Sequence, residues 1–365
     1  MGIRYDKDSL RANNGPTIYF TDPTSLLMLR NEIRSALEAN LSVYVYRRPG
    51  DMMITFGTSE SVVEGLEHPG FVIAPFLPSL PYLTIPFKPV AHASGCLTNK
   101  FPFPARSTNK EEHRAEIDAI QTALRENGGG KIIAARIIVE EGSVSVADTF
   151  FNLCQQNPNA FVFCFNTPQT GCWIGASPEL LLESRRGLFQ TMALAGTRPA
   201  DSEGPWDEKN IEEQRMVTDF IEDMLATHNI KSETGETFTF SAGKVEHICT
   251  PISGETEEAF SSSRLSELLH SLSPTPALCG LPRELALKVI SSQENGDRGC
   301  YGGFCGPYRS PQDFQFQVIL RCARIEQKRF CLYAGGGITL KSSPESEWKE
   351  TELKATTLLD SLRLN

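Results

Sequence analysis

The stretch NKEEHRAEIDAIQTALRENGGGKIIAARIIVEE (109–141) carries the reading of the fold. From Lys110 its apolar residues recur every three to four positions until Gly128–Gly130, the pattern of an amphipathic helix closed by glycine. From Lys131 the chain turns into a nearly continuous apolar run, the pattern of a strand. Working outward, a helix is expected over Ser25–Ala39 and strands over Ser42–Tyr46 and Met52–Phe56. A proline-rich segment from Pro75 to Pro104 can hold no long helix, so it is expected on the surface or along a sheet edge. Further strands are expected at Ala160–Asn166, Leu180–Glu183, Gly187–Thr191, Phe316–Ile325 and Arg329–Tyr333, and long helices at Trp206–Thr227, Ser261–Leu269 and Pro344–Leu364. Strands joined mostly by turns rather than by regular crossover helices favour an α+β fold: large, mostly antiparallel sheets packed together with helices on the outside.

With 365 residues, 40% of them apolar, the chain can bury a large core. A formal net charge of -10 argues against nucleic-acid binding, which calls for concentrated Lys and Arg. The opening MGIRYDKDSL has no apolar run behind a basic flank, and no stretch of about 18 uncharged apolar residues occurs, so no membrane partner and a cytoplasmic location are expected. Ten cysteines, from Cys96 to Cys331, form no C-x-x-C pair, and buried reduced thiols are the expectation rather than a zinc site.

Several residues stand out on physical grounds. In the helix after Trp206 the apolar face is Val217, Phe220, Ile221, Met224 and Leu225, and Glu213 projects onto it. Such a carboxylate is paired, protonated or metal-bound, unless it sits in a still-wet first turn. The last helix, opened by Ser343 and Pro344, has Trp348, Ala355, Leu358, Leu359 and Leu362 on its apolar face, with Glu347, Glu350 and Lys354 on an adjacent stripe. Intrahelical pairing is the ordinary explanation of that stripe; the alternative is two glutamate-bearing helices that feed oxygen ligands to one Mg2+ ion. Gly335–Gly337 follow an apolar strand, as either a tight turn or a place where backbone N–H groups approach an anion. Neither glycine run has the spacing of a P-loop. Arg321 lies between apolar neighbours in QVILRCARI, a strand in which alternation does not fix its face.

Eight ordered blocks resemble the chorismate-binding enzymes: GASPELLLE (175–183), ALAGTRP (193–199), DEKNIEEQRMV (207–217), PTPALCGLP (274–282), GGF (302–304), ILRCA (319–323), YAGGGI (333–338) and SPESEWKETELK (343–354). That family takes in isochorismate synthase, salicylate synthase and the component I subunits of anthranilate and aminodeoxychorismate synthase. The resemblance runs from about Asn109 to the C-terminus, which implies a catalytic portion over 109–365 and a divergent N-terminal portion of the same fold over 1–108. It implies Mg2+ ligation by Glu213 and Glu350, with Glu347 acting through water, and a substrate carboxylate held by Arg321, the Gly335 backbone and Lys354. Gly196 and Thr197 match a segment beside the substrate ring, Glu179 the general acid, and Lys131 the general base of the water-using members.

Two positions bear on which reaction is expected. Lys131 is similar to the base that activates water, and ammonia-using members, normally fed by a glutamine amidotransferase, lack a lysine there. A lysine accepts a proton only if part of its population is neutral, which calls for burial or a nearby cation. Members that go on to eliminate pyruvate commonly carry threonine where this chain has Ala277. The resemblance therefore implies an isomerase that converts chorismate to isochorismate by adding water at C2 and losing the C4 hydroxyl, as a monomer without an amidotransferase. Its product would feed menaquinone, siderophore or salicylate biosynthesis, a choice the sequence leaves open, with salicylate synthase or an ammonia-using synthase as the alternative. Two departures stand in those blocks: Ser273 where many isochorismate synthases have histidine, and Asn210 where an acid is common.

Overall fold

The computed structural model describes residues 17–19, 23–90, 100–242, 245–255, 260–294 and 296–364. The N-terminal part contains β1 (Thr17–Tyr19), α1 (Pro23–Glu38), β2 (Ser42–Arg47), β3 (Met53–Ser59), β4 (Val63–Glu64), β5 (Gly70–Ala74) and β6 (Leu83–Pro86). There follow α2 (Lys110–Glu126), β7 (Lys131–Glu141), α3 (Val146–Gln156), β8 (Phe161–Thr167), β9 (Gly171–Ser177), β10 (Leu180–Arg185) and β11 (Leu188–Pro199). The chain continues with α4 (Glu208–Thr227), β12 (Ser232–Thr234), β13 (Phe238–Ala242), β14 (Val245–Glu255), α5 (Ser262–Leu272), β15 (Gly280–Leu281) and α6 (Arg283–Gln293). It closes with β16 (Phe304–Ser310), β17 (Asp313–Val318), β18 (Cys322–Ile325), β19 (Arg329–Ile338) and α7 (Pro344–Leu359).

Two large antiparallel sheets result. The first has the order β1-β3-β2-β8-β9-β18-β19-β7-β15, and the second β12-β14-β11-β10-β17-β16-β5-β6-β4, with β13 also paired to β14. Strands from before and after Asn109 share both sheets, through β2 with β8 and β5 with β16.

Period-two alternation sorts the side chains of the first sheet. Tyr44, Tyr46, Phe161, Phe163 and Phe165 face the second sheet and pack with Phe71, Phe304 and Phe316. Their neighbours Val43, Val45, Val162 and Cys164 face the other way, under Leu29 and Ile33 of α1, Phe150 of α3 and Leu358 of α7. Each such fully buried side chain contributes about 1.5–3 kcal/mol. Under α2 and α6 lies a third cluster, with Ile117, Ile120, Leu124, Ile132 and Ile290.

The opening stretch folds as its pattern dictates. Asn109 and Glu112 form a capping box, each side chain accepting the other's backbone N–H at 2.9 and 3.0 Å. Gly128–Gly130 all have positive φ, and a Cβ on Gly130 would stand 2.4 Å from the Leu281 carbonyl. A branched residue there would push β15 off β7.

The expected strand Phe316–Ile325 is a correction. It is two strands in two different sheets, β17 in the second and β18 in the first. Between them Arg321 has φ +46, a left-handed conformation that no continuous strand tolerates, and it carries the chain from one sheet to the other. Leu359 also departs from expectation: it is 37% exposed and lies off the buried face of α7. Nine described cysteines are free, eight of them buried, and Cys96 lies outside the described residues. No described helix is long and apolar enough to cross a membrane.

Candidate active site

Helix α4 packs on β11 of the second sheet and α7 on β19 of the first, and a cavity opens between them. Its lining includes Glu179, Gly196, Thr197, Glu213, Ala277, Arg321, Gly335, Glu350 and Lys354, nine of the residues singled out in the sequence. Lys131 is not on that lining. It borders an adjoining pocket, and Glu213 and Lys209 belong to both.

Lys131 opens β7 and is 2% exposed. Its Nζ donates to Glu213 Oε1 at 2.5 Å. Burial pushes the Glu213 carboxyl up, but Lys131 first, then Lys354 and Lys209, hold it below the usual carboxylate range. Lys131 is thus buried, but its partner is a carboxylate rather than a second cation.

The three glycines of YAGGGI do not form a tight turn. They lie inside β19 in register with Ala135, Ala134 and Ile133 of β7. Each makes room for a functional side chain. A Cβ on Gly335 would stand 2.7 Å from the Tyr301 hydroxyl, one on Gly336 2.8 Å from Glu347 Oε2, and one on Gly337 2.6 Å from Lys131 Cε.

The α7 stripe faces this bare strand. Lys354 donates to the Gly335 carbonyl at 2.8 Å and pairs with Glu350 Oε1 at 2.7 Å, so the intrahelical pair does form. Glu347 is 2% exposed; its Oε1 lies 3.4 Å from Lys209 Nζ and its Oε2 has no hydrogen bond. Burial and then Glu350 raise its pKa, with Lys209 acting against them. The Lys209 ammonium is disfavoured by burial, yet Glu347, Glu213 and Glu350 together hold its pKa above the usual lysine value. All three acids therefore converge electrostatically on one cation.

That convergence is the test of fit for a divalent ion. Among the described residues no group of three or more His, Cys, Asp or Glu is close enough to hold a metal by itself. Mg2+ asks for less, since one or two carboxylates suffice when substrate oxygens and waters complete its shell. Glu213 and Glu350, which both line the cavity, and the orphaned Glu347 oxygen near Glu350 fit that demand.

Glu179 sits in the β9–β10 connection, 4% exposed, and accepts a hydrogen bond from Thr275 Oγ1 at 3.2 Å. Burial raises its pKa to about 7, against the opposing influence of Thr275, Lys131 and Arg321. Part of its population therefore keeps a proton at neutrality. Arg321, with its pKa lowered by burial to about 10, lies 2.6 Å through Nη2 from His247 Nε2. His247 Nδ1 is 2.8 Å from the Gly196 carbonyl, which fixes the tautomer: Nδ1–H donates to the carbonyl and Nε2 accepts from arginine. Burial first and Arg321 second push the imidazole down to about 3, so it stays neutral.

The protein-family model described as "Chorismate binding enzyme" matches residues 92–363. The chain belongs to the chorismate-binding enzymes. Among relatives, the isochorismate synthase EntC of Escherichia coli K12 is 30% identical over 243 residues, 63% of this chain and 61% of EntC. The isochorismate synthase MenF of Bacillus subtilis is 29% identical over 272 residues, 71% of this chain and 57% of that protein. The matched stretches thus span about three fifths of these relatives. Among solved structures, the menaquinone-specific isochorismate synthase MenF of Escherichia coli superposes with a TM-score of 0.73 at 23% identity, covering 88% of this chain and 89% of that one. Anthranilate synthase component I of Streptococcus pneumoniae gives 0.62 at 15% identity, covering 87% and 89%. The α+β architecture of large antiparallel sheets is therefore the fold of this family.

Sequence reasoning missed three residues that line this cavity, His247, Lys209 and Tyr301, and also Thr275, which is off the lining and donates to Glu179. His247 stands alone in a strand and gives no periodic signal. Thr275 and Lys209 lie inside two of the eight blocks, and Tyr301 directly precedes a third, yet nothing in their spacing marks them apart from the neighbours that were singled out.

Proposed function

We propose that the protein is an isochorismate synthase, an isomerase that adds water at C2 of chorismate and expels the C4 hydroxyl. The observation that carries this reading is the pairing of Glu179, a buried carboxyl with a pKa near 7, with Lys131, a buried amine within its electrostatic reach. In this reading Lys131 takes a proton from the attacking water as the C2–O bond forms. Glu179 gives its proton to the departing C4 oxygen, which leaves as water while the ring double bonds shift. Arg321 and Lys354 hold substrate carboxylate, and Gly196–Thr197 flank the ring. Ala277 lacks the hydroxyl common in the pyruvate-eliminating members, which supports a reaction that stops at isochorismate.

Mg2+, held by Glu213 and Glu350 with Glu347 through water, would offset the negative charge of the ring carboxylate. Since Lys131 and the ion both lay claim to Glu213, metal affinity and the base are coupled through one carboxylate. The reading includes a cytoplasmic monomer that works without an amidotransferase.

Incubation with chorismate and Mg2+, followed by chromatography, tests the reaction. Isochorismate as the sole product is expected. Release of pyruvate, or an aminated product in the presence of ammonia, overturns the assignment in favour of a salicylate or anthranilate-type synthase.

A further inference from the structure

We propose that Asp207 and Asn210, at the start of α4, form a matched pair that positions Gly196–Thr197 and, through His247, the guanidinium of Arg321. The inference rests on the reading of this cavity as the chorismate site and adds two positioning residues to it.

Asp207 is the N-cap of α4, and its Oδ1 accepts from both the backbone N–H and the side-chain Nδ2 of Asn210, each at 2.8 Å. The opposite end of the same carboxamide, Oδ1, accepts from the Thr197 backbone N–H at 3.0 Å. Asn210 therefore bridges helix and strand by donating in one direction and accepting in the other. A carboxylate cannot do both, having no proton to donate at neutral pH.

The strand side of the bridge is prepared for it. Register between β11 and β14 shifts between Ala195 and Arg198, and Gly196 at the bulge has φ +66. The bulge turns the Thr197 N–H toward Asn210 and the Gly196 carbonyl toward His247 Nδ1. His247 in turn accepts from Arg321, itself held in a left-handed backbone conformation. All six residues line the cavity. A displacement of Asn210 is thus passed along hydrogen bonds to the group that holds substrate carboxylate.

This gives Asn210 a reason. Where an acid is common at this position, here it would stand 2.8 Å from the Asp207 carboxylate.

Three variants test the pair: Asn210→Asp, Asp207→Ser, and the two together. The double variant keeps a capping side chain at 207 and the wild-type net charge, with one carboxylate moved by three positions. In Asn210→Asp, KM for chorismate is expected to rise about tenfold while kcat changes less than about threefold. The double variant is expected to bring KM back to within about threefold of wild type, although the acid at 210 remains. Amide exchange of the segment holding Thr197 is expected to quicken in Asn210→Asp and to slow again in the double variant, whichever reaction the protein runs. An unchanged KM in the single variant, or a double variant no better than the single in both KM and exchange, overturns the proposal. Restored exchange protection in a protein that never converts chorismate would instead leave the bridge standing and remove the reading of the function.

Discussion

Lys131 Nζ and Glu213 Oε1 lie 2.5 Å apart, the lysine buried and the glutamate partly exposed toward the cavity. The pair joins β7 of the first sheet to α4, which rests on the second. In the proposed reaction its two members serve different halves of the chemistry, one as the proton acceptor and the other as a metal ligand.

Removing the amine separates those halves. Lys131→Ala is expected to lower turnover by about a hundredfold or more while saturable chorismate binding persists. The orphaned Glu213 carboxylate should also cost about 1–3 kcal/mol of stability at pH 7, read as a fall in Tm. Wild-type turnover in this variant would take Lys131 out of the mechanism.

Glu179 ties the rate to pH in a definite sense. The group must be protonated to donate, so kcat is expected to fall as pH rises through about 7, and Glu179→Gln should lose about a hundredfold in rate together with that limb. Stability follows the same titration. Because the folded pKa lies above the usual carboxylate value, the group's contribution is fully present at pH 4 and is lost as pH climbs toward 7 and beyond. Glu179→Gln should therefore gain in Tm relative to wild type at pH 8 and not at pH 4. A pH-independent kcat across that range would contradict the role.

The acids of α4 and α7 are separable by titration. Glu213→Gln and Glu350→Gln should each weaken Mg2+ binding about tenfold or more, measured calorimetrically in the presence of chorismate. Glu347→Gln, which changes an acid assigned to act through water, should weaken it less. Identical titrations for all three and for wild type would remove the ligand assignment.

The bare strand gives a steric prediction. In Gly337→Ala the new methyl meets Lys131 Cε at 2.6 Å, so the amine must leave its place beside Glu213. Turnover is expected to drop about tenfold or more with only a few degrees' change in Tm. By contrast Gly129→Ala, whose Cβ meets nothing within 4 Å, should leave turnover intact and lose only stability, because its φ of +129 strains any L side chain. Equal activity losses in both would point to general strain in place of a displaced lysine.

Much of this arrangement was legible in the residues. Helical periodicity put Glu213 on the inward side of α4 and grouped Glu347, Glu350 and Lys354 on one stripe of α7, and those are the side chains that meet over β19. Periodicity failed where one residue's backbone overrides it. Arg321 sits in an apolar run that reads as a single strand, and only its left-handed φ shows that the run serves two sheets. His247 was illegible for another reason: its partners, the Gly196 carbonyl and Arg321, are 51 and 74 residues away along the chain, so no local pattern announces them. The glycine run was noticed, and only its reading as a turn fails, because a stretch without side chains resembles a turn until its neighbours' side chains are seen filling the space.

That last feature sets the terms on which the protein can change. In an ordinary strand a methyl more or less is absorbed by repacking, but along Gly335–Gly337 the vacant volume is already spoken for by a phenol, a carboxyl and an amine. The smallest possible enlargement there evicts a working group, so this short ledge is least forgiving where it has the least chemistry of its own.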